Sequence, residues 1–168
     1  GSTFINGTLS SSVYTQDGGS TTVNGTLSAA TVNVRDGGAS GNAFVYNSAL
    51  TSSSVTKSVT LANAADVTFN AAVSSSQTVS FQDASDTLFI NSPASFAGII
   101  KGFADGDTID LNSPVTSLTY SAGVLDVFSG ATEVAALSFS GAYSQSNFSF
   151  VTEQYGRTQI LDSVAAHS

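Results

Sequence analysis

The chain has 168 residues and a net charge of −8, with 12 acidic side chains, 4 Lys and Arg, and no Cys, Met or Trp. Arg35, Lys57, Lys101 and Arg157 are too few to displace counterions from a nucleic-acid backbone or to hold an anionic membrane surface, so both partner classes are set aside. Without Cys there are no disulfides, thiol nucleophiles or thiolate metal sites, and no run of about 18 apolar residues forms a spanning helix.

The apolar content of 41% can build a core, and 11 Phe and 5 Tyr argue against disorder. Charged residues make up 10%, well below the roughly 25% usual in soluble domains; Ser, Thr, Asn and Gly fill the gap. The N-terminus has no charged region followed by an apolar run. The chain therefore reads as a piece of a longer polypeptide.

Repeats organise the first half. Asn6-Gly7-Thr8-Leu9-Ser10 recurs as Asn24-Gly25-Thr26-Leu27-Ser28, and Asp17-Gly18-Gly19 recurs as Asp36-Gly37-Gly38. The two motifs alternate and so belong to one unit of about 18–19 residues. Further on, Ser58-Val59-Thr60-Leu61 matches Thr78-Val79-Ser80-Phe81, and Asp66 matches Asp86 at the same spacing. Val67-Thr68-Phe69-Asn70 matches Leu88-Phe89-Ile90-Asn91 with one residue of slip, the mark of a loop insertion.

Inside each unit apolar and small polar residues alternate, as in Thr31-Val32-Asn33-Val34, which is the pattern of a half-buried strand. Ala62-Asn63-Ala64-Ala65 is the nearest helical candidate, and it falls at a turn. A unit near 20 residues is one coil of two or three short strands, unable to bury its inward side chains until another coil covers it. The sequence thus predicts an all-β fold: a parallel β-solenoid (β-helix) over residues 3–100.

From residue 101 the repeat fades while strands continue. They are predicted at Thr108–Leu111, Ser117–Tyr120, Val124–Phe128, Val134–Phe139, Asn147–Phe150 and Gln159–Leu161, separated by turns as in antiparallel meanders. Residues 101–163 are read as a β-rich C-terminal cap over the solenoid's exposed edge, and 164–168 as a disordered tail.

Two segments resemble known families. The Asn-Gly-Thr and Asp-Gly-Gly punctuation of the first 40 residues is similar to passenger repeats of autotransporter adhesins of the AIDA and antigen-43 type. The run from Asp86-Thr87-Leu88 through Ile99-Ile100-Lys101-Gly102-Phe103-Ala104-Asp105-Gly106-Asp107-Thr108-Ile109-Asp110-Leu111 resembles the terminal segment of large proteobacterial surface proteins and of RTX-type secreted proteins. The resemblance implies a secreted or cell-surface bacterial β-solenoid used for adhesion or display. The Gly-rich nonapeptide arrays that bind calcium in RTX proteins are absent from this sequence, so their calcium sites do not carry over.

Candidate sites compete with plainer readings. Asp105, Asp107 and Asp110 are the densest carboxylates and the candidate calcium ligands, Gly106 giving the bend; the plainer reading is a turn followed by a strand end, and no cofactor is expected. Asp83 and Asp86, with Asp66 one coil away, could form a glycosidase pair, although Asp also favours turns. His167 is terminal and has no second His or Cys to relay protons. Tyr143, Asn147 and Tyr155 are the carbohydrate-binding candidates, against the half-buried role Tyr takes at strand ends. Asn6, Asn24 and Asn147 begin Asn-x-Ser/Thr triplets, and the repeat explains the first two as coil turns.

The function expected is a non-enzymatic structural or adhesive module of an exported surface protein. A carbohydrate-binding module and a fragment of a β-helix polysaccharide-degrading enzyme are the alternatives. The partners expected are a surface glycan or matrix component and other domains of the same polypeptide, with self-association open and neither nucleic acid nor membrane insertion.

Overall fold

The computed structural model describes residues 1–35 and 42–164. The second Asp-Gly-Gly, at 36–38, and His167 lie outside the described residues, as does all of the expected tail beyond Val164, a residue whose carbonyl accepts the Asp105 N–H at 2.8 Å.

The chain winds as a parallel β-solenoid. The first coil is β1 (Ser2–Ile5), β2 (Thr8–Ser10) and β3 (Val13–Asp17), and the second is β4 (Ser20–Val23), β5 (Thr26–Ser28) and β6 (Thr31–Arg35). Three further coils follow: β7 (Ala43–Tyr46) with β8 (Ser58–Ala62), β9 (Asp66–Phe69) with β10 (Thr78–Phe81), and β11 (Thr87–Ile90) with β12 (Ile99–Lys101). In these the second face shrinks to single bridged residues, Leu50 to Val73 to Phe96. β13 (Thr108–Leu111) then opens a sixth coil.

β1, β4, β7, β9, β11 and β13 stack in parallel on one face, and β3, β6, β8, β10 and β12 on another. The two-residue period of the strands sets which side chains enter the lumen. Val32, Val59, Val79 and Ile100 form one column, and Phe44, Val67, Leu88 and Ile109 another, all fully buried. Each contributes about 1.5–3 kcal/mol relative to exposure, a gain that exists because the next coil covers it. Asn63 and Ala64, in the helical candidate, are two consecutive left-handed residues (φ 59° and 58°) and turn the chain from β8 to β9.

Two expectations are corrected here. Regular stacking does not stop at residue 100: Thr87–Ile90 pairs with Thr108–Leu111 in parallel, so the solenoid runs to Leu111. The register also pairs Asp66 with Thr87, leaving Asp86 beside Ala65 rather than Asp66. The repeat of the strands is one residue longer than the repeat of the carboxylates.

The cap consists of β14 (Ser117–Ser121), β15 (Val124–Ser129), β16 (Thr132–Ser140), β17 (Phe148–Thr152) and β18 (Thr158–Asp162). β14, β15 and β16 form the antiparallel meander, but β16 joins the solenoid by pairing with β12 in parallel. β18 lies antiparallel on β13 and carries β17 outside it. Both long sheets thus end in antiparallel strands at this end. Among the described residues no helix is long and apolar enough to cross a membrane.

Candidate functional site

An asparagine follows the first-face strand of every coil, at Asn6, Asn24, Asn47, Asn70, Asn91 and Asn112. Each later main-chain N–H donates to the carbonyl one coil back: Asn24 to Ile5, Asn47 to Val23, Asn70 to Tyr46, Asn91 to Phe69 and Asn112 to Ile90. The side chains repeat the pattern. Asn24 Nδ2 donates to Asn6 Oδ1 (2.7 Å), Asn47 to Asn24 (2.6 Å), Asn70 to Asn47 (2.6 Å) and Asn91 to Asn70 (2.5 Å). An amide carries both donor and acceptor, so it can extend such a column indefinitely where a carboxylate could not. Sequence reading found the Asn6–Asn24 and Asn70–Asn91 matches and missed Asn47, because spacings of 23 interrupt the shorter repeat.

Arg157 ends the column. Its Nη1 donates to Asn91 Oδ1 (2.9 Å) and its Nε to Asp110 Oδ1 (2.7 Å), while the guanidinium lies 5.9 Å from the centre of the Phe89 ring. Asp110 is buried beneath it. The arginine comes from the hairpin between β17 and β18, so it adds a side-chain tie between cap and solenoid to the main-chain pairing of β16 with β12 and β18 with β13.

The opposite corner is acidic. Asp83 is exposed and takes the Asn63 N–H on both oxygens (2.9 and 3.1 Å). Asp86 has no exposure; its Oδ1 accepts the Ala65 N–H (2.8 Å), and its Oδ2 is buried without a hydrogen bond. Asp107, one coil on and also buried, accepts the N–H groups of Asp86 (3.2 Å) and Ala104 (3.1 Å). Burial raises the Asp86 pKa to about 7, with Asp83 and Asp107 adding to it and the Ala65 N–H opposing it. Burial likewise raises Asp107 to about 6, against two backbone N–H bonds.

The three metal candidates are not brought together. Asp107 and Asp110 lie three apart on an extended segment and so project to opposite sides, one toward backbone N–H groups and the other toward Arg157. Asp105 is exposed. Among the described residues no three His, Cys, Asp or Glu side chains gather as a metal site. The proposed acid pair is also split, since Asp83 faces solvent while Asp86 is sealed behind the turn.

The carbohydrate candidates separate as well. Tyr143 is half-buried, donates its hydroxyl to the Phe103 carbonyl (2.8 Å) and packs on Tyr120, Phe139 and Phe148. Asn147 is buried and folds back on Ser144, its Oδ1 accepting the Ser144 N–H (2.7 Å) and hydroxyl (3.0 Å). Both hold the cap together. Tyr155 is different: it is 97% exposed, sits in the left-handed region (φ 61°) at the β17–β18 hairpin, and shares a shallow recess with Thr152, Glu153, Gln154 and Arg157.

A second recess opens on the narrowed face, where the long third coil leaves β5. Its lining includes Val23, Leu27, Tyr46, Leu50 and Val55 with Ser and Thr at the rim. It carries no charged residue. The fold and these sites define a capped parallel β-solenoid. No protein-family model matches the chain, and no curated protein matches it.

Proposed function

We propose that this chain is a non-enzymatic structural and adhesive module of an exported bacterial surface polypeptide, of the kind suggested by its autotransporter-like and RTX-like segments. One observation carries the reading: main-chain ladders and the asparagine column run unbroken along the axis from Asn6 to Asn91 and are then locked to the cap by Arg157. A column of that kind holds whatever it is joined to at a fixed distance and angle. The negative surface opposes lateral aggregation. The test is limited proteolysis together with forced unfolding of the intact chain. Resistance through residues 1–111 with one cooperative rupture supports the reading; early cleavage between coils would overturn it.

A second reading, carbohydrate binding, is favoured by Tyr155. An aromatic ring held clear of the surface beside Glu153, Gln154 and Arg157 offers stacking and hydrogen bonding at one place. A glycan array compared between the native chain and Tyr155→Ala tests it; no glycan retained by the native chain and lost by the variant would dismiss it.

A further inference from the structure

The two ends of the solenoid are unlike. At the C-terminal end β16 and β18 cover β12 and β13. At the N-terminal end β1 and β3 are the outermost strands of their sheets, and β2 has β5 as its single neighbour. Leu9 is 39% exposed, whereas Leu27, which occupies the same position one coil in, is 5% exposed. The lumen is therefore open at this end.

We propose that the open end is a docking face for one further parallel coil, an extended segment of the same chemistry as the first two coils, with a corner that presents a side-chain carbonyl to Asn6. The proposal rests on the structural reading for the order of the existing coils and goes beyond it in naming what adds to them.

The column has a direction. Every asparagine from Asn24 to Asn91 donates toward the N-terminus, through Nδ2 and through its main-chain N–H. Asn6 is exposed at the same corner, so its equivalent donors face the open end and are free to meet an acceptor arriving from that side. Glycine supplies a second, independent sign. A Cβ on Gly25 would sit 2.1 Å from the Gly7 carbonyl oxygen, so the close approach of the first two coils demands glycine there. Gly7 holds the same place one coil earlier, yet a Cβ on it would meet nothing within 4 Å, and it lies outside the positive-φ region. Among the described residues nothing requires Gly7 to be glycine; a coil approaching as closely as Gly25 approaches Gly7 would.

A second copy of the chain fits this end less well. Head-to-tail stacking would need the C-terminal end, which the cap covers. Head-to-head pairing about a two-fold axis through this corner would set the Asn6 donors of both copies toward each other, and it would pair the open strand edges antiparallel, against the parallel stacking of the coils.

The experiment uses the full chain and a synthetic peptide of residues 20–35, followed by amide NMR. Saturable shifts confined to β1, β2, β3, Asn6 and Gly7 are expected. Gly7→Ala has open space around it, so its own spectrum and melting temperature stay unchanged while peptide affinity falls by roughly tenfold or more. A second form joins the same coil covalently ahead of Ser2. Its added amides are expected to become protected from exchange, and to lose that protection when Gly7→Ala is introduced. An added coil that exchanges freely, peptide shifts elsewhere, equal binding by Gly7→Ala, or a concentration-dependent dimer of the chain alone would each overturn the proposal. Failure of the underlying structural reading looks different, because β4 to β13 would then lose protection too.

Discussion

Asp86 makes an unusual prediction about acid. Its carboxyl is fully buried, one oxygen holds the Ala65 N–H, and the other has no hydrogen bond. The pKa of about 7 stands against an ordinary 3.8. The native state therefore keeps a proton that the unfolded chain has already released through the interval between those values. Its contribution is complete below about pH 4 and is lost as pH rises through about 7. At about 1.4 kcal/mol per pH unit, this corresponds to roughly 4 kcal/mol of stability lost between about pH 4 and pH 7, of which roughly 2–3 kcal/mol falls above pH 5. Asp107 acts in the same direction, fading as pH passes about 6. The two share a corner and titrate together, so the combined change is on the order of a few kcal/mol rather than a simple sum.

The measurement is urea unfolding between about pH 5 and 8, read as the midpoint at constant slope. The midpoint is expected to fall as pH rises. Relief of general charge repulsion on acidification would act in the same direction, so Asp86→Asn is the control. Asn keeps an acceptor for the Ala65 N–H and stands in for the protonated acid at every pH. The variant should lose most of the pH dependence and match or exceed the native chain near pH 8. A midpoint that climbs with pH, or an Asp86→Asn variant with an undiminished slope, would refute the argument.

Other substitutions probe the remaining contacts. Arg157→Met leaves buried Asp110 without its cation and should cost about 3–5 kcal/mol, with a large part recovered in Arg157→Met with Asp110→Asn; chemical denaturation of both variants measures it. Asn70→Ala breaks two column bonds and Asn6→Ala one, so about 1–2 kcal/mol is expected for the first and under about 1 for the second, compared by melting curves. Gly25→Ala sets a methyl 2.1 Å from the Gly7 carbonyl oxygen and should cost about 2 kcal/mol or more, with amide exchange rising first in β1 and β2.

Much of the fold was legible because coil stacking requires that residues one coil apart occupy the same environment. The Asn-Gly-Thr-Leu-Ser repeat became the β2–β5 pair in register, and Ser58–Leu61 paired with Thr78–Phe81 as the sequence match implied. Errors arose where side chains and strands follow different repeats. Asp66 and Asp86 looked equivalent, but a turn residue is positioned by the corner it closes, and that corner gave Asp86 to the Ala65 N–H. Arg157 was beyond reach for another reason. Its partners Asn91 and Asp110 lie 66 and 47 residues away, far outside the coil repeat that the sequence match reveals. The carbohydrate candidates mixed two roles that sequence does not separate: Tyr143 closes the cap, while Tyr155, twelve positions on, faces solvent.

The two long-range columns have opposite logics. An amide column is neutral and self-complementary, so its length is free and it needs attention only at its ends. One end meets Arg157, which supplies a donor that a further asparagine would otherwise provide; the other end, at Asn6, presents donors to solvent. Stacked buried carboxylates are neither neutral nor self-complementary, so each added member makes the next harder to ionise. That difference matches their extent, since the asparagines recur in every coil while the buried pair Asp86 and Asp107 occupies two neighbouring corners next to the cap. The amide column can therefore repeat along a solenoid of any length, whereas the acidic corner ties its pH response to the closed end, where β12, β13 and the cap meet.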